Sequence, residues 1–592
     1  MSPTPRPQSN ASEPPVKRAR RGTKRSRAGC LTCKKVKCDE EKPECTRCKT
    51  FGIKCDGYEM PKPRATAPVH ILRPQTSTSK LLPAPSSIMK FENETEQRHF
   101  QSFQLELVAE LAGAFDNRFW NRLVMQGCQD EPFILKTVTA LSALSTAKKL
   151  SQTGKLGQTI SSTLSASHME FAFMEYEKAL HLMAVTLKDQ PSPRKALMMC
   201  LLVCCFEGMA GNTLAAITHA KSGQKLLDEW MASHPHSRSL GQGIKSPANH
   251  LIEDEVIQAA AFFDLQIVGF FDTRGREEHS IRKNEGAESL QRMPASFKTI
   301  DEARVYWQLI LKRIRHFVAE GVESIYQFPL RDGTSDSPRE PGVEYFSCGD
   351  CPTYGPTIPE NFLQFQEEQR RYSQDIVSWR SSFRELYRRT RLGLDKRAIA
   401  AAQTLLIQAK NYHIVLAGMT DTDNMLFDNY HAEFKDILSL CREVIQAKKD
   451  IEAGQFGFEM GIIPALHTTA KWCRDKKIRR EAIYLMQWYA SREGYWDSAT
   501  MAQLNTILME VEERGMEGDY VPEHARIRMV GFKANHADAI VQIHYVTGSP
   551  RTGQRRCEIE YAWKLPGPWP PAARPVSNSL ALMAWNSDSD DN

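Results

Sequence analysis

Six cysteines fall within 26 residues: Cys30, Cys33, Cys38, Cys45, Cys48 and Cys55. The other nine of the chain's 15 are scattered over the rest of its 592 residues. Such clustering suits a disulfide framework only in a small secreted chain. Here the N-terminus is polar and Pro-rich, with no apolar stretch of the kind a secretory signal needs, so an intracellular chain is expected. In a reducing compartment, packed cysteines read as metal thiolates. A C-x2-C pair lets two thiolates reach one zinc, which takes four ligands tetrahedrally. Two such pairs occur, Cys30/Cys33 and Cys45/Cys48, each with a trailing cysteine. Six thiolates cannot give two zincs four private ligands each, so two must bridge. The count predicts a binuclear cluster holding two Zn(2+). A segment this small has little apolar core, so metal binding would supply its folding free energy, roughly 10–16 kcal/mol per structural zinc.

The charge is as uneven as the cysteines. Residues 1–60 hold 15 Lys/Arg against 7 Asp/Glu, which leaves the other 532 residues at −2 of the chain's net +6. A small basic end on a nearly neutral body points to nucleic acid as the partner of that end. Residues 1–28 are rich in Pro, Ser and Arg and read as a disordered basic arm. Within it Lys17, Arg18, Arg20, Arg21, Lys24 and Arg25 form a nuclear localisation signal, which predicts a nuclear import receptor as partner and the nucleus as location.

The stretch Gly29-Cys30-Leu31-Thr32-Cys33, Lys35-Val36-Lys37-Cys38-Asp39-Glu40, Lys42-Pro43-Glu44-Cys45-Thr46-Arg47-Cys48 and Gly52-Ile53-Lys54-Cys55-Asp56-Gly57-Tyr58 resembles the fungal zinc binuclear cluster transcription factors. The resemblance covers about 30 residues and places the module at 29–60. It implies that Cys30 and Cys45 bridge the zincs, that Cys33 and Cys38 complete one, and that Cys48 and Cys55 complete the other. It also implies that the run between the second and third cysteines enters the major groove and reads a CGG-like triplet. Lys ammonium groups suit guanine O6 and N7. Lys34 and Lys35 would then face bases, and Lys37, Arg47 and Lys49 phosphates.

One departure matters. The family places six residues in both trailing spacers. The second spacer here has six, but the first, Cys33 to Cys38, has only four. Removing two helical residues shortens a segment by about 3 Å and turns the downstream chain by roughly 200°. The reach of Cys38 and the direction of the lysines are therefore at issue. A clipped splice boundary, a tighter functional loop and a weakened first zinc site with lost DNA reading are the competing explanations.

Beyond the cluster, residues 61–90 are rich in Pro, Ser and Thr and read as a flexible linker, with no a/d heptads sustained over three repeats. Residues 91–565 read as successive amphipathic helices. Ala172, Tyr176, Ala179, Leu180, Met183 and Leu187 form one apolar stripe, and Ile376, Trp379, Phe383, Leu386 and Tyr387 another. Ala196 to Phe206 is apolar all round, which predicts a central buried helix. At 11 residues it is also the longest apolar run, short of the ~18 a membrane span needs. Strand-like alternation is scarce before residue 525. Val530 to Tyr545 and Arg556 to Trp563 suit short strands. Residues 566–592 read as a disordered tail in which Leu580 to Trp585 adjoin Asp588, Asp590 and Asp591, the composition of an activation segment.

Several fragments in order, Glu96 to Phe100, Phe119-Trp120, Gly461 to Pro464, Cys473 to Asp475, Arg479 to Ala482 and Arg492 to Asp497, resemble the helical regulatory domain of the same fungal regulators. Cys348/Cys351 form a third C-x2-C, but it stands alone in a Gly/Pro loop. Cys204 and Cys205 read as core. His234 and His236 lie in a Ser/Pro loop and read as solvated. The Arg and aromatic mixture at 370–391 reads as a solvated, salt-bridged helix face. No nucleotide-binding loop, nucleophile elbow or H-E-x-x-H pattern is present.

The fold expected is mostly α: a small zinc-stabilised N-terminal DNA-binding module, a linker, a large all-α regulatory domain and disordered termini. The function expected is a sequence-specific, double-stranded-DNA-binding regulator of RNA polymerase II transcription. It would act with the transcription machinery on a metabolic or biosynthetic gene set through CGG-like sites. The rival is an interaction cofactor with a degenerate cluster that does not read DNA. Neither an enzyme nor a membrane protein is expected. A homodimer is left open, since the family often binds paired triplets.

Overall fold

A computed structural model describes residues 30–33, 38–58 and most of 89–562, the internal exceptions being 116–117, 154–157, 235–244, 271, 273, 326–342, 348–361, 422–423, 451–455, 536–539 and 549–554. The chain divides into two units, Met1–Ser86 and Ser87–Asn592. The basic run expected to be a localisation signal, Lys34, Lys35, Lys37, residues 61–88 of the linker, Cys348, Cys351, His236 and the tail from 566 all lie outside the described residues.

The larger unit is built from helices packed in sequence-adjacent pairs. Helix Pro132–Thr153 packs along Gln158–Asp189, Pro193–Ala210 against Thr213–Ser233, and Lys396–Ala417 against His431–Asp450. The apolar helix starts where Ser192 caps the Lys195 N–H and Pro193 occupies the first turn, and it ends at left-handed Gly211. Every residue from Leu197 to Met209 except Cys200 is buried, Cys204 and Cys205 among them. From the first stripe, Ala172, Tyr176, Ala179, Leu180 and Met183 are buried, and Leu187 lies at the rim. Tyr176 stacks on Phe206 and donates its hydroxyl to Glu207 Oε1 at 2.6 Å. From the second stripe, Ile376, Trp379, Phe383 and Leu386 are buried on helix Phe362–Arg391. Its basic residues stay outside, with Arg388 paired to Glu385 and Arg391 to Glu443. Among the described residues, no helix is long and apolar enough to cross a membrane.

The unit is mostly helical, but two sheets supplement it. Strands β1 (Val343–Ser347), β5 (Ile527–Asn535), β6 (Ile540–Thr547) and β7 (Arg555–Ala562) form an antiparallel sheet in the order β1-β5-β6-β7, with a bulge between Met529 and Gly531. The C-terminal strands fall where alternation suggests them. β1 is not legible in the sequence. Its five residues are ordered by pairing with β5, far away along the chain. Val541 and Ile543 of β6 point into the core. Three two-residue strands, β2 (Phe456–Gly457), β3 (Arg492–Glu493) and β4 (Trp496–Asp497), form a small second sheet.

The family-like fragments are joints in this frame. Phe119 and Trp120 are fully buried. Glu96 and Glu175 flank buried Lys136 Nζ at 2.9 and 3.0 Å. The backbone N–H groups of Gly461 and Ile463 both donate to Glu493 Oε2 at 2.9 Å. A Cβ at Gly461 would stand 2.2 Å from that carboxylate. Gly494 has φ +60°, and a Cβ there would meet Gln266 Nε2 at 2.0 Å, while Gln266 Oε1 accepts the Tyr495 N–H. Asp475 caps helix Lys476–Trp488 through the Lys477 and Ile478 N–H groups. Arg474 and Arg479 both grip Glu512, at 2.8 and 2.7 Å, and Glu512 accepts the Ile527 N–H at the start of β5.

Candidate metal centre and nucleic-acid interface

Among its described residues the smaller unit has almost no apolar core. Its buried side chains are Cys30, Cys33, Cys38, Cys45 and Cys48, with Cys55 and Tyr58 partly buried against them. Thr46–Thr50 is a single helical turn, capped by the Cys45 Sγ accepting the Cys48 N–H. A C-x2-C pair at a helix start thus turns both thiols to one side. Cys30 and Cys33 repeat the arrangement, with the Cys33 N–H on Cys30 Sγ at 3.3 Å.

The thiols form two groups of four. Cys30, Cys33, Cys38 and Cys45 make one, and Cys30, Cys45, Cys48 and Cys55 the other, with all ligand atoms in each group within 4.8 Å of one another. Cys30 and Cys45 belong to both. Zinc–thiolate bonds of about 2.3 Å imply a tetrahedral S···S edge of about 3.8 Å. Cys30–Cys45 at 3.6 Å, Cys30–Cys48 at 3.9 Å and Cys33–Cys45 at 3.8 Å fit that edge. Cys33 and Cys48, from different groups, also lie 3.7 Å apart, so the six sulfurs make one compact knot. The donor set therefore fits two zincs sharing two thiolates. Cys38 reaches its group despite the four-residue spacer.

Backbone N–H groups prepare the thiolates. The Cys30 and Glu40 N–H groups each point at Cys38 Sγ at 3.5 Å, and the Cys30 N–H leads in drawing that thiol down to about 7. Burial pushes Cys30 up to about 12 without a metal. A cation is what makes such a thiolate tenable.

Side chains that sequence reasoning passed over hold the knot closed. Asp39 Oδ2 accepts the Thr46 N–H at 2.8 Å, and hydrogen bonding from Thr46 leads in lowering Asp39 to about 2. Thr46 Oγ1 donates to Glu41, and the Tyr58 hydroxyl to the Glu41 carbonyl at 2.7 Å. Thr32 Oγ1 donates to Asp56 Oδ2 at 3.0 Å. The signal available was the recurrence of Asp, Thr and Tyr beside the cysteines, a pattern of local capping.

Charge is segregated along the module. Residues 38–44 carry Asp39, Glu40, Glu41 and Glu44 against Lys42, whereas 45–54 carry Arg47, Lys49 and Lys54 and no acid. Arg47 and Lys49 are both exposed on the helical turn, and Arg47 stands 5.7 Å from the Phe51 ring centre.

Residues 28–65 match the fungal Zn(2)-Cys(6) binuclear cluster domain, a domain that binds two zinc ions. The chain is 27% identical over 227 residues to the aspercryptin biosynthesis cluster-specific transcription regulator atnN of Emericella nidulans, covering 34% of this chain and 35% of that protein. It is 24% identical over 211 residues to the transcription regulator lscL of Purpureocillium lilacinum, covering 34% and 48%. Over 41 residues, 7% of each chain, it is 56% identical to the pestheic acid cluster transcriptional regulator 3 of Pestalotiopsis fici. The matched regions span about a third to a half of the first two relatives' length. No solved structure matches. The knot of six thiols and the domain match make residues 28–65 a fungal Zn(2)-Cys(6) binuclear cluster domain, and the relatives that match the chain are named as transcription regulators.

Proposed function

We propose that the chain is a nuclear, sequence-specific DNA-binding regulator of RNA polymerase II transcription that acts through CGG-like triplets. The observation that carries this reading is the pair of four-thiol groups sharing Cys30 and Cys45. In this reading Cys30 and Cys45 bridge, Cys33 and Cys38 close one zinc site, and Cys48 and Cys55 close the other. The zincs fix the fold of the module; its own residues contact DNA. Lys34 and Lys35 read bases, while Lys37, Arg47 and Lys49 meet phosphates. Lys17, Arg18, Arg20, Arg21, Lys24 and Arg25 recruit the import receptor. The helical region 91–565 controls activity, and the tail 566–592 contacts the transcription machinery. Two relatives are named for biosynthetic clusters, which supports a biosynthetic gene set as the target.

The test is a gel-shift series with the zinc-loaded full chain on CGG-containing and scrambled duplexes. Affinity should favour CGG and fall steeply with salt through counterion release. Lys35→Ala should cost about 1–3 kcal/mol and relax specificity. Equal affinity for both duplexes at every salt concentration would refute DNA reading and leave the interaction-cofactor alternative.

A further inference from the structure

Helix Lys476–Trp488 buries one face and leaves the other open. Ile478, Ala482, Ile483, Leu485 and Met486 face the core. Lys477, Arg480, Tyr484 and Trp488 share the outer face at helical spacing. Tyr484 is 58% exposed and Trp488 43%, which is unusual for two aromatics one turn apart. Two cations stand beside them, Lys449, whose Nζ sits 3.1 Å from the Trp488 ring centre, and exposed Lys477, while Arg480 is paired with Glu513. An exposed aromatic pair set among cations fits a ligand that is both apolar and acidic.

We propose that this face is the docking surface for the chain's own tail, residues 580–591. That segment supplies Leu580, Leu582, Met583 and Trp585 for the aromatic pair, then Asp588, Asp590 and Asp591 for the cations. The exit point of the chain favours it. Strand β7 ends at Ala562, whose carbonyl accepts Gln503 Nε2 at 3.4 Å, and Tyr561 donates to Glu510 at 2.6 Å. Both partners lie on helix Ser498–Glu513, the helix that Arg480 grips through Glu513. The tail therefore leaves one helix away from the aromatic face. The 22 residues between Ala562 and Trp585 span about 25 Å as a flexible chain, and more where the prolines between Pro566 and Pro575 extend them, against about 20 Å for the length of the docking helix. Tethering at this range gives an effective concentration on the order of millimolar, so weak contacts suffice. Docked in this way, the apolar residues of the tail are withheld from other proteins.

The experiment places a photo-cross-linking benzoylphenylalanine at Ala584 of the full chain and maps the products by mass spectrometry, using a mixture of isotopically heavy and light chains. Cross-links within one chain to Lys449 and to 477–488 are expected. Tyr484→Ala/Trp488→Ala should lower their yield at least fivefold with an unchanged melting temperature. If that variant melts early, Asp588→Asn/Asp590→Asn/Asp591→Asn, confined to the tail, should give the same loss. Heavy-to-light cross-links, cross-links centred elsewhere, or a yield indifferent to both variants would overturn the proposal. No DNA enters the measurement, so its outcome is separate from that of the DNA-reading test.

Discussion

The two units of this chain are held together by different chemistry. Among the described residues of the cysteine module five of the six thiols are buried and almost nothing else is, so a site fitted to two zincs stands where a core would be. The helical unit has an extended apolar core anchored by residues such as Trp120, Trp307 and Trp379. It also encloses charges that are matched internally, Lys136 with Glu96 and Glu175 and Glu512 with Arg474 and Arg479. The first fold depends on a component supplied from outside; the described part of the second is held by contacts among its own side chains. A single destabilising condition should therefore separate them.

Removing zinc is the largest such perturbation. Chelation, or Cys45→Ala at a shared thiol, should forfeit most of the roughly 10–16 kcal/mol per zinc that such sites contribute. Native mass spectrometry of the full chain should read two zincs falling to none, while the main helical melting transition stays in place. Cys38→Ala, which belongs to one group only, should leave one zinc. In the helical unit the counterpart is Glu512→Gln, which leaves two buried guanidiniums without a counter-charge and should cost about 3–5 kcal/mol. Thermal melts should show this with zinc content unchanged.

Smaller effects sharpen the contrast. Gly494→Ala meets both a left-handed backbone and the Gln266 side chain, and should cost about 1–3 kcal/mol. Acid acts on the helical unit through buried histidine. Burial lowers His467 to about 3, with Lys471 adding to the effect, and Asn505 donates to its Nδ1 at 2.8 Å. A histidine held neutral in the fold contributes stability above its unfolded value near 6.5, and this is lost as pH falls below it. Between pH 7 and pH 5, His467 should account for up to about 2 kcal/mol, read as a shallower drop in melting temperature for His467→Gln. Smallest of all, Arg388→Ala removes a solvent-exposed pair with Glu385 and should leave the melting temperature unchanged.

Much of this organisation was legible because ligand chemistry and helical periodicity are local. Zinc demands thiolates at short spacings, so the six cysteines announce their site. Tyr176, Phe206, Trp379 and Phe383 lie in the core as their stripes require. What escaped is non-local. β1 is a strand because β5 pairs with it, and five residues carry no such message. The burial of Lys136, Glu175 and Arg479 is equally invisible, since a charged residue in a helical pattern reads as solvent-facing until its partner is located. The short spacer before Cys38 shows the same limit in the opposite direction. Counting residues put the reach of Cys38 at issue, and its thiol nonetheless lies in the first group of four, while Lys34, Lys35 and Lys37 lie outside the described residues.

The grip on Glu512 also bears on how the molecule comes apart. One carboxylate joins the turn before helix Lys476–Trp488, that helix itself, helix Ser498–Glu513 and the first residue of β5. Burial alone would raise this carboxyl, but Arg474 and Arg479 outweigh it and keep it below the ordinary range. The C-terminal sheet cannot peel away while the helices stay intact without uncovering that charge. Partial opening at this seam is therefore penalised at every intermediate stage, and sheet and helices should exchange their amide hydrogens as one cooperative block rather than fray in succession.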